Sequence, residues 1–282
     1  MKKITLVLLF GLIALHGMSQ SPWVKGKGNG YAQVSFNMIT EYGSLYSNSD
    51  NSIVLPRLVT DKAIQFYGEF GLGSDWQVSA ALPYKLLETG EVNPEYSLGT
   101  VDIEEGTFGA LGNIELAFKK NFINKNFLLS GQLKTELPTS SFDDATGLRS
   151  GLDALSIIPS ITIGKGWDGT YGYVSVGSGI RSNDYSGDLR VSAELGTQPI
   201  DKFWIVLVLD VVSSFENKTP TVEPKQLQSG IYLNNQEYFA YGLKFAYELK
   251  NGWGLNLAGY GGTSGNVVAK APSINFGVYY EW

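Results

Sequence analysis

The chain contains no cysteine and only one histidine, His16. The lack of cysteine excludes disulfides, Cys–His pairs and the usual Cys/His zinc sites, and a Ser–His pair is excluded once His16 is removed with a leader. Long apolar runs are also missing, apart from residues 4–15, which only Thr5 and Gly11 interrupt. That run is shorter than the roughly 20 residues of a membrane-spanning helix. Basic Lys2 and Lys3 precede it, and the small residues Gly17 and Ser19 follow at the spacing a signal peptidase reads. The expectation is a secretory leader over 1–19, cut after Ser19, with a single domain over 20–282. Without the leader the chain has no histidine, and 19 of its 21 Lys and Arg face 27 Asp and Glu. An acidic chain is a poor ligand for phosphate backbones, so nucleic acid is not an expected partner.

Period-two alternation is present instead. In the last stretch Ile274, Phe276, Val278, Tyr280 and Trp282 alternate with Asn275, Gly277, Tyr279 and Glu281. That is a strand with one apolar and one mixed face. Asn275, Gly277, Tyr280 and Trp282 also resemble the C-terminal signal by which outer-membrane barrels are recognised for insertion. Twelve segments read as strands: about 30–41, 61–71, 76–87, 108–120, 127–139, 155–165, 170–181, 187–197, 203–214, 236–248, 253–262 and 273–282. In the first, Ala32, Val34, Phe36 and Met38 alternate with Gln33, Ser35 and Asn37. In the fifth, Leu129, Leu133 and Leu137 alternate with Gln132, Lys134 and Glu136. The ninth is apolar on both faces, which leaves its orientation open.

The connections alternate between short and long, as in transmembrane barrels with short periplasmic turns. Short ones fall at 72–75, 121–126, 166–169, 198–202 and 249–252, and longer ones at 42–60, 88–107, 140–154, 215–235 and 263–272. The connection 182–186 is short on the long side. Five of six tryptophans, Trp76, Trp167, Trp204, Trp253 and Trp282, lie beside the short-turn end, where indoles collect at a membrane interface. The expected fold is all-β: a closed, antiparallel, up-and-down transmembrane barrel of about twelve strands. About ten residues precede the first strand, so no separate plug domain is expected.

On this register Glu69, Lys85, Glu115, Lys119, Lys134, Glu136, Arg181, Arg190, Glu194, Asp210, Lys244 and Glu281 face the lumen. Charges there must be paired or hydrated. They either fill the barrel with ion pairs or form a constriction that selects solutes. Twelve strands lie between small filled barrels and wide porins, so strand number does not choose. The segment 88–107 carries Glu88, Glu91, Glu95, Asp102, Glu104 and Glu105 with no Lys or Arg. It lacks EF-hand spacing, and a solvated acidic loop is the simpler reading, as it is for Asp143 and Asp144. No metal or cofactor is expected. Pro83, Pro138 and Pro159 fall in expected strands, where a missing ladder donor implies a bulge or a gap in the wall.

The stretch 108–215 resembles a family of outer-membrane barrels named for the meta-cleavage pathway of phenol degradation, grouped with long-chain fatty-acid-transporter-like porins. Gly109-Ala-Leu-Gly112-Asn113 stands where that family tends to have Gly-x-Gly-Asp. Leu137-Pro138-Thr139 resembles its Leu-Pro-Thr-Gly, and a loop with Gly147 and Gly151 follows. Asn113 replaces the Asp, and Ser140 stands where Gly is common. The resemblance implies transport rather than catalysis. The expectation is a monomer in the outer membrane of a Gram-negative bacterium that passes small molecules, apolar or aromatic ones included. Its partners would be membrane lipid, the barrel-assembly machinery during biogenesis, and the solute. The other reading is a closed structural or surface-binding barrel.

Overall fold

Each wall strand separates two media, lipid outside and a polar interior within, and this is why the chain alternates with period two. The computed structural model describes residues 20–49, 51–96 and 101–282. The expected leader, Asp50 and the tip 97–100 of the acidic loop lie outside the described residues. The strands are β1 (Gly30–Leu45), β2 (Ile53–Gly73), β3 (Trp76–Thr89), β4 (Gly106–Leu111), β5 (Ile114–Asn124), β6 (Leu128–Leu137), β7 (Phe142–Asp143) and β8 (Leu148–Arg149). They continue with β9 (Ser156–Trp167), β10 (Thr170–Arg181), β11 (Asp188–Ile200), β12 (Phe203–Ser214), β13 (Glu237–Glu248), β14 (Trp253–Asn266) and β15 (Ser273–Glu281). One helical turn, α1 (Pro224–Leu227), precedes β13.

The wall strands pair antiparallel with their neighbours. β1 pairs with β15, and β2 with β3, so the sheet closes on itself. β4 and β5 both pair with β3 and form one interrupted wall strand, which gives a barrel of twelve. All twelve expected segments are strands. Closure pairs the wall strands on both sides, save β4, which pairs with β3 alone. Val34, Phe36, Phe66, Phe118, Leu133, Ile161 and Leu257 are exposed on the outer face. In water such a belt would be an aggregation surface; in lipid it matches its solvent. The apolar β12 has one definite orientation: Val206, Val208 and Val212 are buried inside, and Leu207 and Leu209 are exposed.

Short turns close one end. Ser74-Asp75 and Asn251-Gly252 both have positive φ at two successive residues, the type I′ pattern that suits a two-residue hairpin. Gly252 is required there, because a Cβ would collide with the Glu281 carbonyl. By the convention of such barrels this is the periplasmic end. At the other end β2, with 21 residues, runs far beyond the roughly 9–11 a membrane-crossing strand needs. The surplus builds a mouth, and the main apolar cluster sits there: Tyr42, Leu45, Leu55, Val59, Leu87, Leu148, Ile231 and Ala271. Leu45, Leu87 and Leu148 are fully buried, each stabilising the mouth by about 2 kcal/mol.

Two expectations need correction. Trp76, Trp167, Trp253 and Trp282 are exposed near the periplasmic rim. Trp204 instead turns inward, its indole donating to Glu248 Oε1 at 3.1 Å and packing on Tyr171. β12 sets this, since Trp204 shares the inward register of Val206 and Val208. The prolines also act differently from one another. Pro138 follows the end of β6, and β6–β9 pairing is continuous from Leu128↔Gly164 to Glu136↔Ser156, with no gap at that seam. Pro159 faces outward, and the ladder it interrupts is β9–β10, between Gly177↔Ser160 and Ile180↔Ile157. Pro83 lies opposite the β4–β5 break, where its carbonyl accepts the Gly112 N–H at 2.8 Å.

Candidate functional site: a lumen with a cap and a strap

The outer half of the lumen holds a chain of ion pairs that spans several strands. Lys134 Nζ lies 3.1 Å from Glu115 and 3.2 Å from Glu136. Arg190 Nη1 lies 3.0 Å from Glu136, and its Nε 2.9 Å from Asp188. Asp188 also binds Arg181. Glu136 is on β6 and Arg190 on β11, so the contact arches over β9 and β10. The arch fits because those strands present Ser160, Gly177 and Gly179 beneath it. At Gly179 a Cβ would collide with the Asp188 carboxylate, which instead accepts the Gly179 N–H at 3.0 Å. The chain contains three cations and three anions and is neutral. Beside it, on the neighbouring strands β3 and β2, Lys85 and Asp61 pair at 2.8 Å.

Above this layer the outer loops fold inward. Gln226 of α1 is buried; its amide donates to the Ile231 carbonyl at 2.9 Å and accepts from Arg149 Nε at 3.1 Å. Gly147, at φ +65°, lets the β7–β8 hairpin approach the Lys225 carbonyl. The cap lowers Tyr232 into the mouth, with Lys85 Nζ 5.4 Å from its ring centroid. Burial pushes the Tyr232 phenol up to about 12, with Lys85 opposing the shift and Asp61 adding to it. Beneath the cap is a cavity of about 200 Å³. Lys85, Asp61, Arg181 and Arg190 line its polar side, and Ile39, Tyr42, Val212 and Val268 its apolar side.

Below, residues 20–25 run inside the lumen, and 26–29 lie exposed at its rim. They form a short strap across the barrel. Gly71 lacks a side chain where the Lys25 and Gly26 carbonyls pass, and Lys25 N–H donates to Gln77 Oε1 at 2.8 Å. Lys25 Nζ pairs with Glu281 at 2.6 Å. Across the lumen Pro22 is fully buried against Gly164, and Trp23 meets Tyr171 and Tyr173. The strap reaches Ser192, whose hydroxyl donates to Gln20 Oε1.

Lys85, Glu115, Lys134, Glu136, Arg181 and Arg190 thus lie together around the outer half. Glu194 pairs with Lys244 at 3.0 Å lower down, beside the strap. Asp210 accepts from the Tyr238 hydroxyl, and Glu69 from that of Tyr67. Lys119 departs from the expected pairing: it is buried, and its Nζ has no hydrogen-bond partner among the described residues. Asp61 and Asp188 were missed because each lies at the outer edge of its expected segment, 61–71 and 187–197, and β2 in fact runs on to Ile53. Tyr232 and the strap carry no periodic signal at all. In the acidic loop no group of three or more carboxylates is placed to hold a metal among the described residues. At the C-terminus, the Asn275 amide donates to Asn37, and Gly277 leaves room for Asn256 and Gln33. The Tyr280 ring lies 5.1 Å from that of Trp253 and 5.9 Å from that of Trp282.

A closed twelve-stranded barrel with a lipid-matched belt and a polar lumen defines a transmembrane β-barrel of the outer membrane. No protein-family model matches the chain, and no curated protein does. Solved structures resemble it in fold. An outer membrane channel described as COG4313, from Pseudomonas putida F1, superposes with a TM-score of 0.68 at 10% identity, covering 92% of this chain and 97% of that one. The NanC porin gives 0.52 at 8% identity, covering 89% and 100%. The translocator domain of the autotransporter NalP from Neisseria meningitidis gives 0.51 at 12%, covering 92% and 90%. Channels, porins and a translocator domain share this architecture, so function must be argued from the lumen.

Proposed function

We propose that this protein is a monomeric outer-membrane channel that admits small molecules, apolar and aromatic ones among them. The observation that carries this reading is the cavity of about 200 Å³ beneath the cap. Its charges already satisfy one another, so they lend no strong attraction to an ion, while Ile39, Tyr42, Val212 and Val268 offer apolar surface. A purely structural barrel would fill this space at native packing density. Likeness in fold to the Pseudomonas putida channel supports the reading, as does the resemblance of Gly109-Ala-Leu-Gly112-Asn113 and Leu137-Pro138-Thr139 to motifs of the phenol-degradation family. Export through a leader cut after Ser19, and insertion through Asn275, Gly277, Tyr280 and Trp282 read by the assembly machinery, belong to the same proposal.

The inward cap and the strap favour one other reading, a sealed barrel whose outer surface engages a partner. Planar-bilayer recording with the purified protein, combined with uptake of a small aromatic compound by liposomes, separates them. Stepwise openings or uptake above empty liposomes support transport. Silence in both assays, with the barrel inserted, leaves the sealed barrel.

A further inference from the structure

We infer that the periplasmic half of the lumen contains a binding site for a small neutral aromatic ring, and that Trp23 of the strap occupies it as a built-in ligand. The inference rests on the transport reading and names the ring that reading would pass. Trp23 lies edge-on to Tyr171, with ring centroids 5.4 Å apart and planes at 80°, and 6.4 Å from Tyr173 at 71°. Tyr171 packs in turn on Trp204 at 5.6 Å. These separations lie in the range where aromatic rings attract edge to face.

The walls of this site are held without Trp23. The Tyr171 hydroxyl donates to Glu194 at 3.0 Å, and Glu194 is fixed by Lys244 at 3.0 Å. The Trp204 indole donates to Glu248 at 3.1 Å. The pocket is therefore preorganised, and its charged neighbours are already engaged, which favours an uncharged ring. The strap's other tethers, Gln20 to Ser192 and Lys25 to Gln77 and Glu281, are polar, so Trp23 is the tether with which a neutral ring can compete. A ring that reaches the strap and takes the place of Trp23 would free the strap and open the way to the periplasm. A hydrophilic solute of the same size has nothing to offer the site.

The chain has no cysteine, so Ser21→Cys places a single thiol on the strap beside Trp23. Its labelling rate with a membrane-impermeant maleimide, in the folded barrel in detergent, reports strap release. Saturating p-cresol is expected to raise that rate severalfold, and glucose to leave it unchanged. With Trp23→Ala added, the thiol should label rapidly without p-cresol. With Tyr171→Leu added, which keeps apolar bulk but removes the ring, the response to p-cresol should disappear. Unchanged labelling in p-cresol, or an equal response with Tyr171→Leu, overturns the inference; heat-modifiable migration confirms that each variant is folded. Liposome uptake of p-cresol is read separately. Strap release without uptake keeps the site and removes the transport reading, whereas uptake without release keeps transport and removes the site.

Discussion

Arg190 and Glu136 hold the lumen together across two intervening strands, and a double-mutant cycle measures how much. At 3.0 Å and an effective dielectric near 20, their gross attraction is about 5 kcal/mol. Desolvation cancels much of it, so the net worth of the pair is small, yet breaking a buried pair from one side costs about 3–5 kcal/mol. Arg190→Ala leaves Glu115, Glu136 and Asp188 facing only Lys134 and Arg181, a net charge of −1 in a buried layer. Glu136→Ala leaves +1. Removing both restores neutrality: Lys134 keeps Glu115 at 3.1 Å, and Arg181 keeps Asp188. Each single change should therefore destabilise by about 3 kcal/mol, and the double change by less than their sum, with a coupling of at least about 2 kcal/mol. Urea unfolding in lipid vesicles, followed by tryptophan fluorescence, gives the four stabilities. Additivity within about 0.5 kcal/mol would refute the arch as a coupled unit.

Other outcomes follow from the same geometry. Neutralising Lys134 together with Glu136 should change conductance or ion selectivity far more than Leu133→Ala, because Leu133 is exposed on the outer face; the reverse result would invert the register of β6. A cysteine at Asn217 should label on intact cells and one at Gly73 should not, and labelling at Gly73 alone would turn the barrel over. Deleting Trp282, or Tyr280→Asp, should block insertion while export continues; a normal outer-membrane yield would remove these residues from the assembly signal. Gly147→Ala should loosen the cap by about 1–2 kcal/mol, through its positive φ and a Cβ pressed on the Lys225 carbonyl. Faster protease cleavage within 215–236 is the readout, and unchanged cleavage would show that the hairpin does not brace α1.

The wall was legible in the sequence because lipid and lumen each impose a rule at every second residue. That is why β6 could be oriented from Leu133, Lys134 and Glu136 alone. β12 could not, since its inward valines are as apolar as its outward leucines; only pairing with β11 and β13 fixes which face is which. The same ambiguity hid the inward turn of Trp204. For the site, alternation identified the inward charges one strand at a time, but nothing local says that Glu136 reaches Arg190 across two strands. That contact depends on Gly177 and Gly179 standing between them.

The chain by itself determined strand number, closure, the facing of most charges and the membrane as solvent, because these follow from local period and composition. Tertiary structure alone decided how the lumen is filled. The strap, the cap and Tyr232 belong to segments without periodicity, so their positions depend on contacts with residues far away in sequence. Gly71 and Gly164 admit the strap by what they lack, and Leu45 and Leu55 receive the cap at Gly230. Whether the barrel is empty or occupied is thus a property of shapes meeting across the lumen, which no alternation of residues encodes.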